Sequence, residues 1–305
     1  MIRKRLLLIA LAAAAVQCLA PNAWSHGVVG DFTFLEPLVA EDPTPANELD
    51  LVEPQWNRVA GGRTYAIGSS VEKILGTDQE GWPRFSIGGG TSWIYQSPDQ
   101  GSSQNGFDDV QLFAKYAFLV VPDHEFLLSA AAQLQIPIGN PRIEEQQHTS
   151  FGPELVGEKG LGDLPDWPVL RFLRPLGFQA DVGYLPALNG HTSHLLYGDT
   201  VVEYSLPYLS NSVQDIGLEW PLRNLFLFTE FNYSQLIAGP SGQTFPDFVL
   251  TPGIAYMSYR FQLSLGTQFA LNQAAVGGTH AAVIGLLDIF FDSIFPRMNW
   301  KLFGN

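Results

Sequence analysis

Residues Arg260–Asn272 read RFQLSLGTQFALN. Phe261, Leu263, Leu265, Thr267, Phe269 and Leu271 fall on one parity, and Gln262, Ser264, Gly266, Gln268 and Ala270 on the other. A period of two is that of an extended strand, whose side chains alternate between faces. One face is apolar along the whole stretch and the other is polar or small. Such a strand needs a hydrophobic environment on one side only.

The same alternation recurs. Phe126, Leu128, Ala130, Ala132, Leu134 and Ile136 oppose Ser129, Gln133 and Gln135; Leu176, Phe178, Ala180, Val182 and Tyr184 oppose Gly177, Gln179, Asp181 and Gly183. Phe85, Ile87, Gly89, Thr91, Trp93 and Tyr95 face away from Ser86, Gly88, Gly90 and Ser92. These runs match the ~9–11 residues that cross a bilayer at a tilt, and they exceed the usual ~5–6 of soluble sheets. Trp93, Tyr95, Tyr184, Tyr256 and Tyr259 sit near strand ends, where interfacial aromatic girdles lie. The predicted fold is all-β: an antiparallel transmembrane β-barrel of about 12 strands (range ~10–14) with lipid outside and a polar interior. A soluble β-sandwich is the architectural rival, and in it the apolar parity would lie beneath a second sheet.

Arg3, Lys4 and Arg5 precede the apolar run Leu6–Val16, and Ala23-Trp24-Ser25 supplies small residues at a cleavage site. Residues 1–25 therefore read as a cleavable signal peptide, with export to the outer membrane as the expected destination. Cys18, the one cysteine, lies inside it behind Gln17, where a lipidated cysteine needs a small residue. The rest of the chain has no cysteine and so no disulfide. It carries thirteen basic against thirty acidic residues, a net charge of −17, which argues against nucleic acid as a partner. The partners that the barrel reading implies are outer-membrane lipid and lipopolysaccharide, and a small-molecule solute.

A first strand is expected within 26–35, followed by the acidic, proline-rich Glu36–Pro54, read as a loop or as a segment in or under the barrel. Further strands are expected at 63–74, 84–96, 108–120, 125–137, 149–158, 174–184, 198–206, 224–236, 247–257, 260–271 and 281–291. This divides the chain into 1–25 (signal), 26–62 (N-terminal strand and acidic segment), 63–291 (barrel) and 292–305 (a C-terminal tail against the periplasmic rim). Tight turns at Val121–His124 and Ser258–Tyr259 fall on one side, and longer loops, such as Gln96–Phe107 and Gly139–His148, on the other. Two connections on the tight-turn side, 159–173 and 207–223, are long for that position.

Gly106-Phe107-Asp108-Asp109-Val110 to Lys115-Tyr116 and Glu125-Phe126 to Ile136-Pro137-Ile138-Gly139 resemble the opening half of outer-membrane proteins labelled for the meta-pathway of phenol degradation. Glu158-Lys159-Gly160-Leu161-Gly162-Asp163-Leu164-Pro165, Glu203-Tyr204-Ser205-Leu206-Pro207-Tyr208-Leu209 and Phe291-Asp292-Ser293-Ile294-Phe295-Pro296 are similar to later segments of such barrels. The resemblance implies an outer-membrane location and passage of small, aromatic or hydrophobic compounds. It supplies no catalytic residues.

The polar parity nominates the residues of a solute path: Gln111, Lys115, Gln133, Gln135, Gln179, Asp181, Glu203, Glu230, Gln262 and Gln268, with Arg260 at a rim. They either line a channel or form internal networks that fill the barrel. Charges inside need partners or water, because an unpaired buried ion costs several kcal/mol. Asp181, Glu203 and Glu230 against Lys115 give a mild acidic excess. Histidine spacing suggests no metal site, and no cofactor is implied. His148-Thr149-Ser150 and His191-Thr192-Ser193 repeat a Ser/His pairing that barrel-borne lipid hydrolases use, without a nucleophile elbow beside it. Gly88-Gly89-Gly90, inside a strand, points to close approach by an inward neighbour. Three functions follow: a passive channel, a non-conducting structural or sensory barrel, and a lipid hydrolase based on Ser150 or Ser193.

Overall fold

The computed structural model describes residues 27–143, 148–188, 194–238, 245–295 and 300–303. The signal peptide and the His191–Ser193 tripeptide lie outside the described residues.

Twelve antiparallel strands close into one barrel. They are β1 (Glu48–Val59), β2 (Gly62–Thr77), β3 (Pro83–Pro98), β4 (Val110–Val121), β5 (Phe126–Ile136) and β6 (Ser150–Gly160). Then follow β7 (Leu176–Leu185), β8 (His194–Ser205), β9 (Leu225–Ala238), β10 (Asp247–Met257), β11 (Phe261–Ala270) and β12 (Ala281–Phe290). Each pairs with its sequence neighbours, and β12 returns to β1 through Ala281↔Arg58 to Phe290↔Glu48. Closure leaves no sheet edge among these strands, as lipid requires of any spanning sheet. The upper part of β3 also pairs with the short strand Gln104–Phe107, which extends the wall beyond β4.

The alternation in Arg260–Asn272 is realised as written. Phe261, Leu263, Leu265 and Phe269 stand on the outer wall at 37–55% exposure in the isolated chain, while Gln262, Ser264 and Gln268 point inward at 0–6%. The polarity is that of a soluble protein turned inside out, so the apolar wall needs acyl chains as its solvent. No helix among the described residues is long and apolar enough to span. A sandwich is excluded, because no second layer covers the outer residues.

Eleven strands form where the pattern places them, and the first does not. The stretch expected at 26–35 holds only a two-residue hairpin, Val28–Val29 with Phe32–Thr33. The wall takes Glu48–Val59 instead. A register shift between Asp50 and Glu53 breaks the period of two in this strand, and its inward side chains include Glu48, Asp50 and Glu53. A bulge, a proline and an acidic inner face together resemble a loop when read as sequence.

The turns Pro122–Glu125 and Ser258–Arg260, the connections 161–175 and 206–224, and the end of β12 share one end, here called the lower end. Chain segments 27–34, 291–295 and 300–303 also gather there. Val29, Phe32 and Phe34 pack with Ala117, Leu127 and Tyr208 across the lower mouth. Gly30 (φ +65°) passes so close to the Pro122 carbonyl that a Cβ would lie 2.2 Å from its oxygen. Burial pushes the Glu125 carboxyl up in pKa although it accepts from the Gly162 N–H (2.7 Å) and the Tyr208 hydroxyl (2.9 Å). At this rim the Leu302 N–H donates to the Leu75 carbonyl (2.8 Å), and the Phe303 ring covers Gly76 and meets Phe85.

Candidate functional site: the barrel lumen

Leu35–Asn47 runs inside the barrel. It enters at the lower mouth, rises to Leu38–Glu41 about halfway up, and descends to Asn47, where β1 begins. Inward side chains hold its backbone around the ring. Glu203 Oε2 accepts from Leu35 N–H (3.2 Å), and Gln179 Nε2 donates to the Leu35 carbonyl (2.8 Å). Gln262 makes a two-way pair with Glu36, accepting from its N–H (3.0 Å) and donating to its carbonyl (2.7 Å). Glu230 accepts from three successive N–H groups, Leu38 (2.6 Å), Val39 (3.0 Å) and Ala40 (3.3 Å). Asp181 accepts from Glu41 N–H (3.2 Å). A segment without regular structure must find partners for its backbone groups, and the carboxylates and amides of the wall supply them.

The descending limb is held similarly. The Ser129 hydroxyl donates to the Pro43 carbonyl (2.5 Å), the Thr44 hydroxyl to Glu158 (2.8 Å), and Ala46 N–H to Glu72 (3.0 Å). Lys115 Nζ lies between Glu41 (2.9 Å) and Glu72 (3.2 Å), which links the segment, β4 and β2 through one ammonium. Lys115, Gln179, Glu203, Glu230 and Gln262 are all at most 1% exposed, so the lumen is packed at this level.

Above the segment is a cavity of about 270 Å³. Glu36–Glu41 form its floor, and Asp50, Glu53, Asp109, Gln111, Gln133 and Gln135 stand on its walls. Gln133 Nε2 donates to Glu154 (2.7 Å) and Gln135 Nε2 to Asp109 (3.2 Å). Gly88 accommodates the inward Phe113 ring, which a Cβ would meet at 2.2 Å, so the glycine run serves close approach.

The structure thus divides the nominated residues. Gln179, Glu203, Glu230, Gln262, Asp181 and Lys115 hold the lumen segment. Gln111, Gln133 and Gln135 face the cavity. Gln268 pairs with Gln55 (3.2 Å) on the inner wall, and Arg260 sits half-buried at the β10–β11 turn, apart from both groups. The same parity rule applied to β2, β6 and β8 would have added Glu72, Glu154, Glu158 and Asp199.

The acidic excess is larger than expected: among the described residues thirteen buried side chains are carboxylates, against the single ammonium of Lys115. Glu36, Asp42 and Glu48 bring carboxylate oxygens within 4.8 Å of one another. Histidine spacing could not reveal that trio, because it joins the rising limb, the descending limb and the start of β1. Ser150 is buried on the interior parity, out of reach of lipid on the outer wall.

No protein-family model and no curated protein matches the chain, so the resemblance to the phenol-pathway family has no match behind it. Solved structures do match. An outer-membrane channel from Pseudomonas putida F1 aligns over 84% of this chain and 99% of its own, with 11% identity and a TM-score of 0.53. The NanC porin aligns over 80% and 99% (11% identity, TM-score 0.47), and the KdgM porin, solved with disordered oligogalacturonate, over 78% and 97% (12%, 0.40). The likeness to the Pseudomonas putida channel is one of fold: a closed antiparallel β-barrel.

Proposed function

We propose that this barrel is a passive channel for small solutes in the outer membrane, and that Leu35–Asn47 is its closure. The observation that carries the reading is the nature of what blocks the lumen. It is a segment on the N-terminal side of β1, attached through side-chain hydrogen bonds, the Glu41–Lys115 ion pair and the packing of Leu35, Leu38 and Ala40 against Val201, Phe226, Phe228 and Phe290, and no wall strand depends on it for its ladder. Above it, a polar cavity near the lower size limit of small-molecule pockets (~300 Å³) leads toward the upper end. Its carboxylates and amides favour hydrogen-bonding solutes over the hydrophobic compounds that the family resemblance implies. The chain offers no motif for energy coupling, so flux follows the gradient.

Planar-bilayer recording of the full protein and of a variant lacking residues 27–46 tests this. The full protein should conduct little and intermittently, and the shortened barrel at least about tenfold more. If the shortened protein is folded, by its heat-dependent gel mobility, and is still silent, the barrel is a filled structural element and the channel reading fails.

A further inference from the structure

Among the lower connections, 161–175 and 206–224 are far longer than the Ser258–Arg260 turn, and their sequence explains what the extra length does. Each has a buried edge and an exposed one. On the buried edge Gly162 and Tyr208 close on Glu125, and Leu209 is buried beside them. The exposed edge carries Trp167 (64%), Val169 (78%), Phe172, Leu173, Trp220 (74%) and Leu222.

This apolar edge continues the lipid-facing wall. The Tyr204 hydroxyl donates to the Phe172 carbonyl (3.1 Å), and Tyr204 shares its parity with the outward Val202. Trp220 Nε1 donates to the Tyr256 hydroxyl (3.1 Å), and Tyr256 shares its parity with the outward Ile254. The Arg171 guanidinium bridges the two connections through Gln214 (3.0 Å), and Arg223 is exposed beside Leu222. Exposed indole rings, one with an anchored N–H, aliphatic side chains and guanidinium groups at the edge of a hydrocarbon wall match the chemistry of a phospholipid headgroup layer.

We infer that 161–175 and 206–224 are leaflet anchors: their exposed edges lie in the headgroup and upper acyl region of the periplasmic leaflet, against glycerophospholipid. The inference rests on the transmembrane barrel and is independent of whether the lumen conducts.

A Cys18→Ser background leaves the chain without cysteine, so nitroxide labels can be placed singly at V169C, L222C, L265C and D123C. The proteins are reconstituted in vesicles of phosphatidylethanolamine and phosphatidylglycerol and checked for folding by heat-dependent mobility. Collision with oxygen and with a water-soluble nickel chelate is then measured. The anchors predict an oxygen-to-nickel ratio at V169C and L222C at least about threefold above that at D123C, on the tight turn. Water-like ratios at V169C and L222C beside a lipid-like L265C overturn the inference and leave the barrel standing. Water-like ratios at all positions overturn both.

Discussion

The two halves of the lumen share one wall and differ in what they enclose. In the lower half the inward carboxylates and amides are spent on protein: on the backbone of Leu35–Asn47 and on Lys115. In the upper half the same residue types face a cavity of about 270 Å³. Side-chain polarity along a strand therefore marks an interior face without marking a path. Whether a given glutamine or glutamate meets solute or chain is decided by a segment far away in sequence, in most cases more than a hundred residues distant.

This contrast predicts a gradient of effects. The largest belongs to Lys115→Met, which leaves the buried Glu72 and the half-buried Glu41 without their shared ammonium. Loss of one partner from a buried ionic cluster costs about 3–5 kcal/mol, to be read from urea unfolding in vesicles by tryptophan emission. Next is Glu230→Ala, which strips three backbone N–H groups of their acceptor and should cost about 2–3 kcal/mol. It should also raise open probability toward that of the barrel lacking 27–46. In the upper half, Gln111→Ala should change stability by no more than about 0.5 kcal/mol while altering conductance once the segment is removed. Equal losses for Lys115→Met and Gln111→Ala would erase the distinction between the halves.

A modest, pH-dependent effect lies outside the lumen. Asp78, in the turn before β3, accepts from Arg84 Nε (2.8 Å) and from the Glu80 and Trp82 N–H groups (both 2.9 Å). Partial burial works to raise its pKa, but the Arg84 and backbone hydrogen bonds outweigh burial and hold it below the usual carboxylate value. A carboxyl with a depressed folded pKa contributes stability above its unfolded value of about 4. That contribution is lost as the pH falls through the folded value. Asp78→Asn should therefore cost about 0.5–1 kcal/mol at neutral pH and nothing once Asp78 itself is protonated, which melting curves at pH 7 and in acid would compare.

The wall was legible because each apolar parity is a local property, and eleven strands lie where alternation put them. β1 escaped because its bulge interrupts the period and Glu48, Asp50 and Glu53, the mark of a loop in most contexts, here point into the barrel. The inward residues were legible as a face, and Glu72, Glu154, Glu158 and Asp199 could have been found by the same rule. The division between holding and cavity-facing residues was not legible. It depends on where Leu35–Asn47 settles, and that segment has no periodicity of its own. The long lower connections likewise look misplaced in a strand count, and their exposed tryptophans become intelligible only beside Tyr204 and Tyr256.

Both limbs of the lumen segment leave through the lower mouth, Phe34 into the hairpin beneath and Asn47 into the wall. A strand of chain tethered at both ends on one rim can be drawn out like a bolt, without passing a free end through the barrel. Its withdrawal breaks contacts such as those to Glu230, Gln262 and Lys115 one after another and leaves every ladder of the wall intact. In the proposed channel the cost of opening is then set by these polar contacts and by the packing of Leu35, Leu38 and Ala40 on Phe226 and Phe228, and single substitutions can tune it while the surrounding cylinder keeps its shape.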